Sequence, residues 1–169
     1  MSTDDFTSNL DALIHHNADY AEHFEHAALQ GAPSRRVAVV ACMDARIDPA
    51  RVLGLEVGEA HVIRNAGGVV TDDVVRSLCL SQRSLGTREI VLVHHTRCGL
   101  EGLDEAGFRT TLRDELGVEP QWSLESFDDP YDDVRESIRR LQTSPFIAHK
   151  NFIHGFVYDV ADGRLHLVD

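Results

Sequence analysis

Positive charge is scarce in this 169-residue chain: 16 Lys and Arg stand against 28 Asp and Glu, for a formal charge of −12. Lys150 is the single lysine. A field of that sign repels phosphate backbones and anionic lipid, so nucleic acid is not expected as a partner, and steering favours cations or neutral small molecules. Long hydrophobic runs are missing as well. No stretch approaches the roughly 18 apolar residues that span a membrane, and Asp4 and Asp5 stand where a secretory leader carries basic and then apolar residues. Cysteine is limited to Cys42, Cys79 and Cys98, an odd number that excludes complete disulfide pairing. These absences predict a cytoplasmic protein whose thiols stay reduced or bind metal. What is present is an ordinary globular composition, 43% hydrophobic and 26% charged, at a length that suits one domain, 1–169, with a core that needs no staple.

Apolar residues at helical period, Leu10, Leu13, Ile14, Ala21, Phe24 and Ala28, predict an amphipathic helix over 7–29, stopped by Gly31 and Pro33. The continuous apolar run 37–41 reads as a strand buried on both faces, ending at Cys42. Asp48-Pro49 opens a short helix toward Gly54, and 61–63 is a second strand leading into Arg64-Asn65-Ala66-Gly67-Gly68. Thr71 or Asp72 caps a helix that runs to Gly86, followed by a buried strand over 90–93. Cys79 shares that helix's face with Val75 and reads as core. Residues 100–117 read as broken helix with Gly107 at the break, and 131–141 as a charged helix. The strand 152–158 follows, with 164–168 returning beside it through Ala161-Asp162-Gly163. This alternation predicts an α/β fold: a mostly parallel central sheet of four to five strands flanked by helices, with an N-terminal helical arm over 1–30.

Cys42 ends the first strand and Cys98 follows the third, the ends of parallel strands where such sheets bind ligands. His95 stands in a His-x-x-Cys spacing with Cys98, so one tight turn can present both to a single ion. Two thiolates and an imidazole suit tetrahedral zinc, and three protein ligands leave a fourth position for water, as catalytic sites do. The same residues also fit a plainer reading of inert strand-end thiols. Cys42-Met43-Asp44-Ala45-Arg46 sharpens the choice, because alternation in extended chain puts Cys42, Asp44 and Arg46 on one side. A guanidinium there can hold Asp44 in a bidentate pair and keep it off the metal. His94 points away from the metal and reads as a hydrogen-bonded core histidine. His15, Asp19, His23 and His26 lie on the polar face of the first helix, where a solvated surface accounts for them.

Cys-x-Asp-x-Arg at 42–46, Arg-Asn-Ala-Gly at 64–67 and His-x-x-Cys-Gly at 95–99, in this order, resemble the β-class carbonic anhydrases. The resemblance runs from about Val37 to the last strand and points to a compact bacterial branch. It implies a zinc lyase that interconverts carbon dioxide and bicarbonate. Cys42, His95 and Cys98 match the zinc ligands, and Asp44 and Arg46 match the dyad that orients the hydroxide. The loop with Asn65, Ala66, Gly67 and Gly68, together with Gly99, matches the lining of the substrate cleft. A homodimer is implied, with the arm packing on the partner subunit. Three positions depart from the common pattern: Ala45 replaces a small hydroxyl residue, His94 replaces glycine, and Val39 stands where members with a regulatory bicarbonate pocket carry tryptophan.

Two other functions share these residues. Carbonyl sulfide or carbon disulfide could be the substrate on the same zinc site, since some relatives of the family hydrolyse them. A non-catalytic zinc or redox-sensing module, with Asp44 permanently in the fourth position, is the reading from another class.

Overall fold

A computed structural model describes residues 6–169 of the chain. They fall into two compact units, Met1–Gln30 and Gly31–Asp169. The first contains α1 (Leu10–Glu22), which has no buried residue. It is shorter than the predicted helix. Beyond Glu22 the backbone tightens, with the His23 N–H donating to Tyr20 O and the Phe24 N–H to Ala21 O. Short helices draw most of their stability from packing, and with none of its residues buried this one ends before Phe24 and Ala28. Gly31 and Pro33 are therefore not its stop.

The second unit alternates β1 (Val37–Cys42), α2 (Pro49–Leu53), β2 (Ala60–Asn65), α3 (Asp72–Leu85), β3 (Glu89–His95), α4 (Glu105–Leu116), α5 (Pro130–Thr143), β4 (Ile153–Tyr158) and β5 (Leu165–Val168). The five strands form one sheet in the order β2-β1-β3-β4-β5, parallel except for the β4–β5 pair. The caps are those the sequence predicts. Asp48 accepts from the Ala50 and Arg51 N–H groups, with Pro49 just inside the helix, and Thr71 accepts from the Val74 N–H. Helix α4 differs from expectation, because it runs through Gly107 without a break. The Asp104 side chain caps the Gly107 N–H at 3.0 Å, so the glycine sits in the first turn with its donor satisfied.

Alternation along the central strands divides the core. Ala38, Val40, Ile90 and Leu92 face Val74 and Leu78 of α3 and Leu141 of α5. Each fully buried leucine there contributes about 1.5–3 kcal/mol by leaving water. Val39, Ala41, Val91 and Val93 face the other way, toward Leu53, Leu55 and Phe156. Cys79 is only partly buried and lines a groove with Val75 between α3 and α5.

Strand order has a direct consequence for the site. From β1 the chain steps outward to β2 and then back across to β3, so the order reverses between β1 and β3. Their carboxyl ends carry Cys42 and His95. A crevice at such a switch point is where open parallel sheets hold ligands.

Candidate metal centre

Cys42, His95 and Cys98 are all buried, and their ligand atoms lie within 4.8 Å of one another. The turn between the last two is tight: the Thr96 N–H donates to Tyr158 O at 3.0 Å, and Arg97 takes the left-handed conformation at φ 56°. That reversal brings Cys98 back beside His95. His95 Nδ1 lies 3.0 Å from Thr96 O. A carbonyl can only accept, so Nδ1 carries the proton and Nε2 keeps its lone pair. That Nε2 is buried and has no hydrogen-bond partner. An orphaned acceptor beside two sulfurs is what a metal ligand looks like before its ion is considered.

Without a cation only one of the two thiols ionises readily. The Cys98 S–H, assisted by the His95 ring against an opposing effect of burial, brings the Cys42 thiol down to about 4. Cys98 is driven far up by Cys42 and by burial, so the two sulfurs lose their protons in separate steps. Burial works to lower the His95 ring, but the nearby Cys42 sulfur and the Thr96 carbonyl outweigh it and the ring lies above the usual histidine value. A coordinated divalent cation would be needed to hold both sulfurs as thiolates.

Asp44 and Arg46 meet as expected, although by a different route. The strand ends at Cys42 and the chain turns, with the Ile47 N–H donating to Asp44 O at 3.1 Å. The turn, rather than strand alternation, brings the two side chains together. Arg46 donates from Nε to Asp44 Oδ1 at 2.9 Å and from Nη2 to Oδ2 at 2.8 Å, and its backbone N–H adds a third bond at 2.9 Å. The guanidinium holds the Asp44 carboxyl well below the usual carboxylate range. Asp44 Oδ2 stands 3.7 Å from His95 Nε2. Arg46 Nη2 also reaches Arg97 O at 3.0 Å, tying the dyad to the ligand turn.

The 64–68 loop grips the ligand strand. Arg64 donates to Cys42 O from Nε at 3.0 Å and Nη2 at 2.8 Å, and to Asp44 O at 2.8 Å. Asn65 O accepts from the Met43 N–H at 2.8 Å, while Asn65 Nδ2 donates to Val69 O. Gly67 is packed against Leu100, and Gly68 against the Cys42 backbone. Asn65 and Ala66 line an apolar cavity of about 180 Å³ with Val69, Leu100, Trp122 and Leu124. Leu100 also packs in the buried cluster of Cys42 and Cys98 and so links the cavity to the ligands, although neither the ligands nor Gly67, Gly68 and Gly99 line it. Gly99 has open space at its Cβ position. A larger groove of about 840 Å³ between α3 and α5 holds none of these residues.

Sequence reading missed the buttressing by Arg64 and the packing of Phe127 and Asp133 around His94. Nothing local in the sequence marks the last two, which come from a distant segment. Among the described residues, Asp159, Asp162 and His166 also approach within 4.8 Å. Their carboxylates are committed to the β4–β5 turn, accepting from the Ala161 and Arg164 N–H groups. His15, Asp19, His23 and His26 do not form such a group.

The sequence model of the carbonic anhydrase family matches residues 37–165. Beta-carbonic anhydrase 1 of Mycobacterium tuberculosis is 51% identical over 166 residues, covering 98% of this chain and 97% of that protein. A carbon disulfide hydrolase of Acidithiobacillus thiooxidans is 34% identical, over 78% of this chain and 76% of its own. Among solved structures, a carbonic anhydrase from Streptococcus mutans superposes with a TM-score of 0.89 at 43% identity, covering 97% of this chain and 99% of that one.

Proposed function

The chain belongs to the β-carbonic anhydrase family, and from that premise we propose that it holds zinc on Cys42, His95 and Cys98 and interconverts carbon dioxide and bicarbonate. The observation that carries the reading is the unpartnered Nε2 of His95 beside two thiols, while Arg46 keeps the nearest carboxylate occupied. Three soft-to-borderline donors then leave a fourth place free. When bound, zinc supplies Lewis acidity that brings the pKa of a water to about 7.

The residues of this chain do the rest. Asp44, fixed by Arg46, offers Oδ2 as an acceptor to the O–H of the attacking nucleophile and so directs its lone pair. Arg64 holds the carbonyls of Cys42 and Asp44, which keeps ligand and orienting carboxylate in one frame. The apolar cavity beside Leu100 suits a small, uncharged, linear molecule. Thr96 O keeps the His95 proton on Nδ1 and thereby Nε2 available.

A second substrate reading, carbon disulfide, is supported by relatives named carbon disulfide hydrolases. The non-catalytic module is disfavoured because Arg46 already engages both oxygens of Asp44. A homodimer is part of the proposal, with 1–30 as an arm on the partner of a single domain over 1–169. Helix α1 supports this by exposing Leu10, Leu13 and Ile14, each at 59% or more. No described helix is long and apolar enough to cross a membrane, and the cysteines are free, which suits a cytoplasmic setting. Turnover of carbon dioxide and of carbon disulfide by one zinc-loaded preparation tests the assignment. Fast hydration with negligible carbon disulfide hydrolysis is expected, and the reverse would overturn it.

A further inference from the structure

His94 precedes a ligand and points the other way. It continues the face of Ile90 and Leu92, which packs under α3 and α5. The ring is fully buried and stacks on Phe127, with centroids 6.0 Å apart and planes at 11°. Nε2 lies 3.1 Å from Gly68 O. Because that carbonyl only accepts, Nε2 is the donor. Nδ1 faces Asp133 Oδ2 at 3.1 Å, and both atoms are buried without a hydrogen bond. Nothing in the proposed reaction uses this buried imidazole.

The place where its bond lands gives it a purpose. Gly68 sits at φ 75° against the end of β1, so close that a Cβ would stand 2.8 Å from Cys42 N and 3.0 Å from Ala41 C. The same loop holds Cys42 O and Asp44 O through Arg64, and the Met43 N–H through Asn65 O. Loop 64–68 therefore grips residues 42–44 along their length, and His94 secures its far end to the core. Phe127, on the other side of the ring, donates its N–H to Leu100 O at 3.3 Å and accepts from the Gly102 N–H at 2.8 Å, next to Cys98. One side chain thus touches the supports of both cysteine segments.

We propose that His94 is a positioning residue for the metal centre: its bond to Gly68 O keeps loop 64–68 seated on Cys42–Asp44 and so sets where that thiolate and carboxylate stand relative to His95. Phe127 stacks on the ring and Asp133 stands against its Nδ1. The inference rests on the zinc reading above, but not on which substrate is used.

Two substitutions separate the bond from the bulk. His94→Phe retains the stack on Phe127 and removes the donor, whereas His94→Gln returns a donor near the position of Nε2. Zinc release to a chelator, the visible spectrum of the cobalt-substituted protein, and kcat and KM for carbon dioxide are read on each. Outer partners of metal ligands typically carry about 10- to 100-fold in affinity or activity. His94→Phe should release zinc faster by about that factor, change the cobalt spectrum, and lower kcat about 10-fold with KM within about two-fold. His94→Gln should recover most of the loss. A His94→Phe protein with wild-type zinc release and cobalt spectrum overturns the proposal, and so does a His94→Gln protein as impaired as His94→Phe. Should His94→Phe fail to fold, Asp133→Ala takes its place: faster zinc release supports the positioning role, and unchanged release refutes it. The metal readouts do not depend on the substrate, so a zinc-loaded wild type that prefers carbon disulfide would sink the carbon dioxide assignment and leave this inference standing.

Discussion

Replacing Gly68 by alanine measures how firmly loop 64–68 is seated, and Gly86→Ala provides its control. Both glycines are left-handed, at φ 75° and φ 77°. A side chain in that region costs about 1–2 kcal/mol. At Gly86, the cap of α3, a Cβ meets nothing within 4 Å, so that conformational cost is the whole effect. At Gly68 a Cβ stands 2.8 Å from Cys42 N, 3.0 Å from Ala41 C and 3.1 Å from Val93 O, all backbone of the two central strands. Those atoms cannot rotate away, so the loop must shift, and overpacking of this kind adds about 1–3 kcal/mol. Gly68→Ala should therefore lose about 2–5 kcal/mol, a large share of the roughly 5–15 kcal/mol that holds a domain folded. Urea unfolding of both variants in chelator, at equal protein concentration, reads the difference from the midpoints at unchanged slope. Equal midpoints for the two variants would refute the seating argument, because the loop would then yield without cost.

Replacing Cys42, His95 or Cys98 by alanine should abolish stoichiometric zinc as measured by atomic emission, and full occupancy in His95→Ala would exclude it as a ligand. Arg46→Ala leaves Asp44 Oδ1 with only the backbone N–H and frees Oδ2, and should lower carbon dioxide hydration by about 10- to 100-fold even at high pH. Asp44→Asn should keep zinc while losing activity; wild-type rates in Arg46→Ala would contradict the dyad. Burial, together with the Glu125 and Glu136 carboxylates, pushes Asp133 up to about 6. The folded protein therefore retains a proton there that the unfolded chain has lost, and this group makes stability fall as pH rises from about 4 to 6. Asp133→Asn should relieve that fall by up to about 3 kcal/mol, and parallel stability–pH curves for the two proteins would refute it. Removing residues 1–30 should give monomers or aggregates in sedimentation, whereas a dimeric, active truncation would count against the arm.

Elements with strong local causes were legible in the sequence. Strands β1 and β3 are buried on both faces and so read as unbroken apolar runs, and Asp48-Pro49 and Thr71 announce helix starts because their side chains satisfy the first free N–H groups. His95 and Cys98 were legible as a pair because one turn sets their distance. Helix α1 was overextended because periodicity alone does not say whether packing supports its last turns. Gly107 misled because a glycine costs only about 1 kcal/mol in a helix, and the Asp104 cap offsets it.

By itself, then, the sequence determined the donor types, the local turns and the alternation of strands with helices, all of which depend on neighbours within a few residues. Only the tertiary structure decided that the order reverses between β1 and β3, which brings Cys42 to His95. It also decided that Gly68 lies under Cys42 and that Phe127 and Asp133 enclose His94. Such contacts join segments far apart along the chain. They are set by which faces the whole sheet and its helices bury together, and no local pattern encodes that choice.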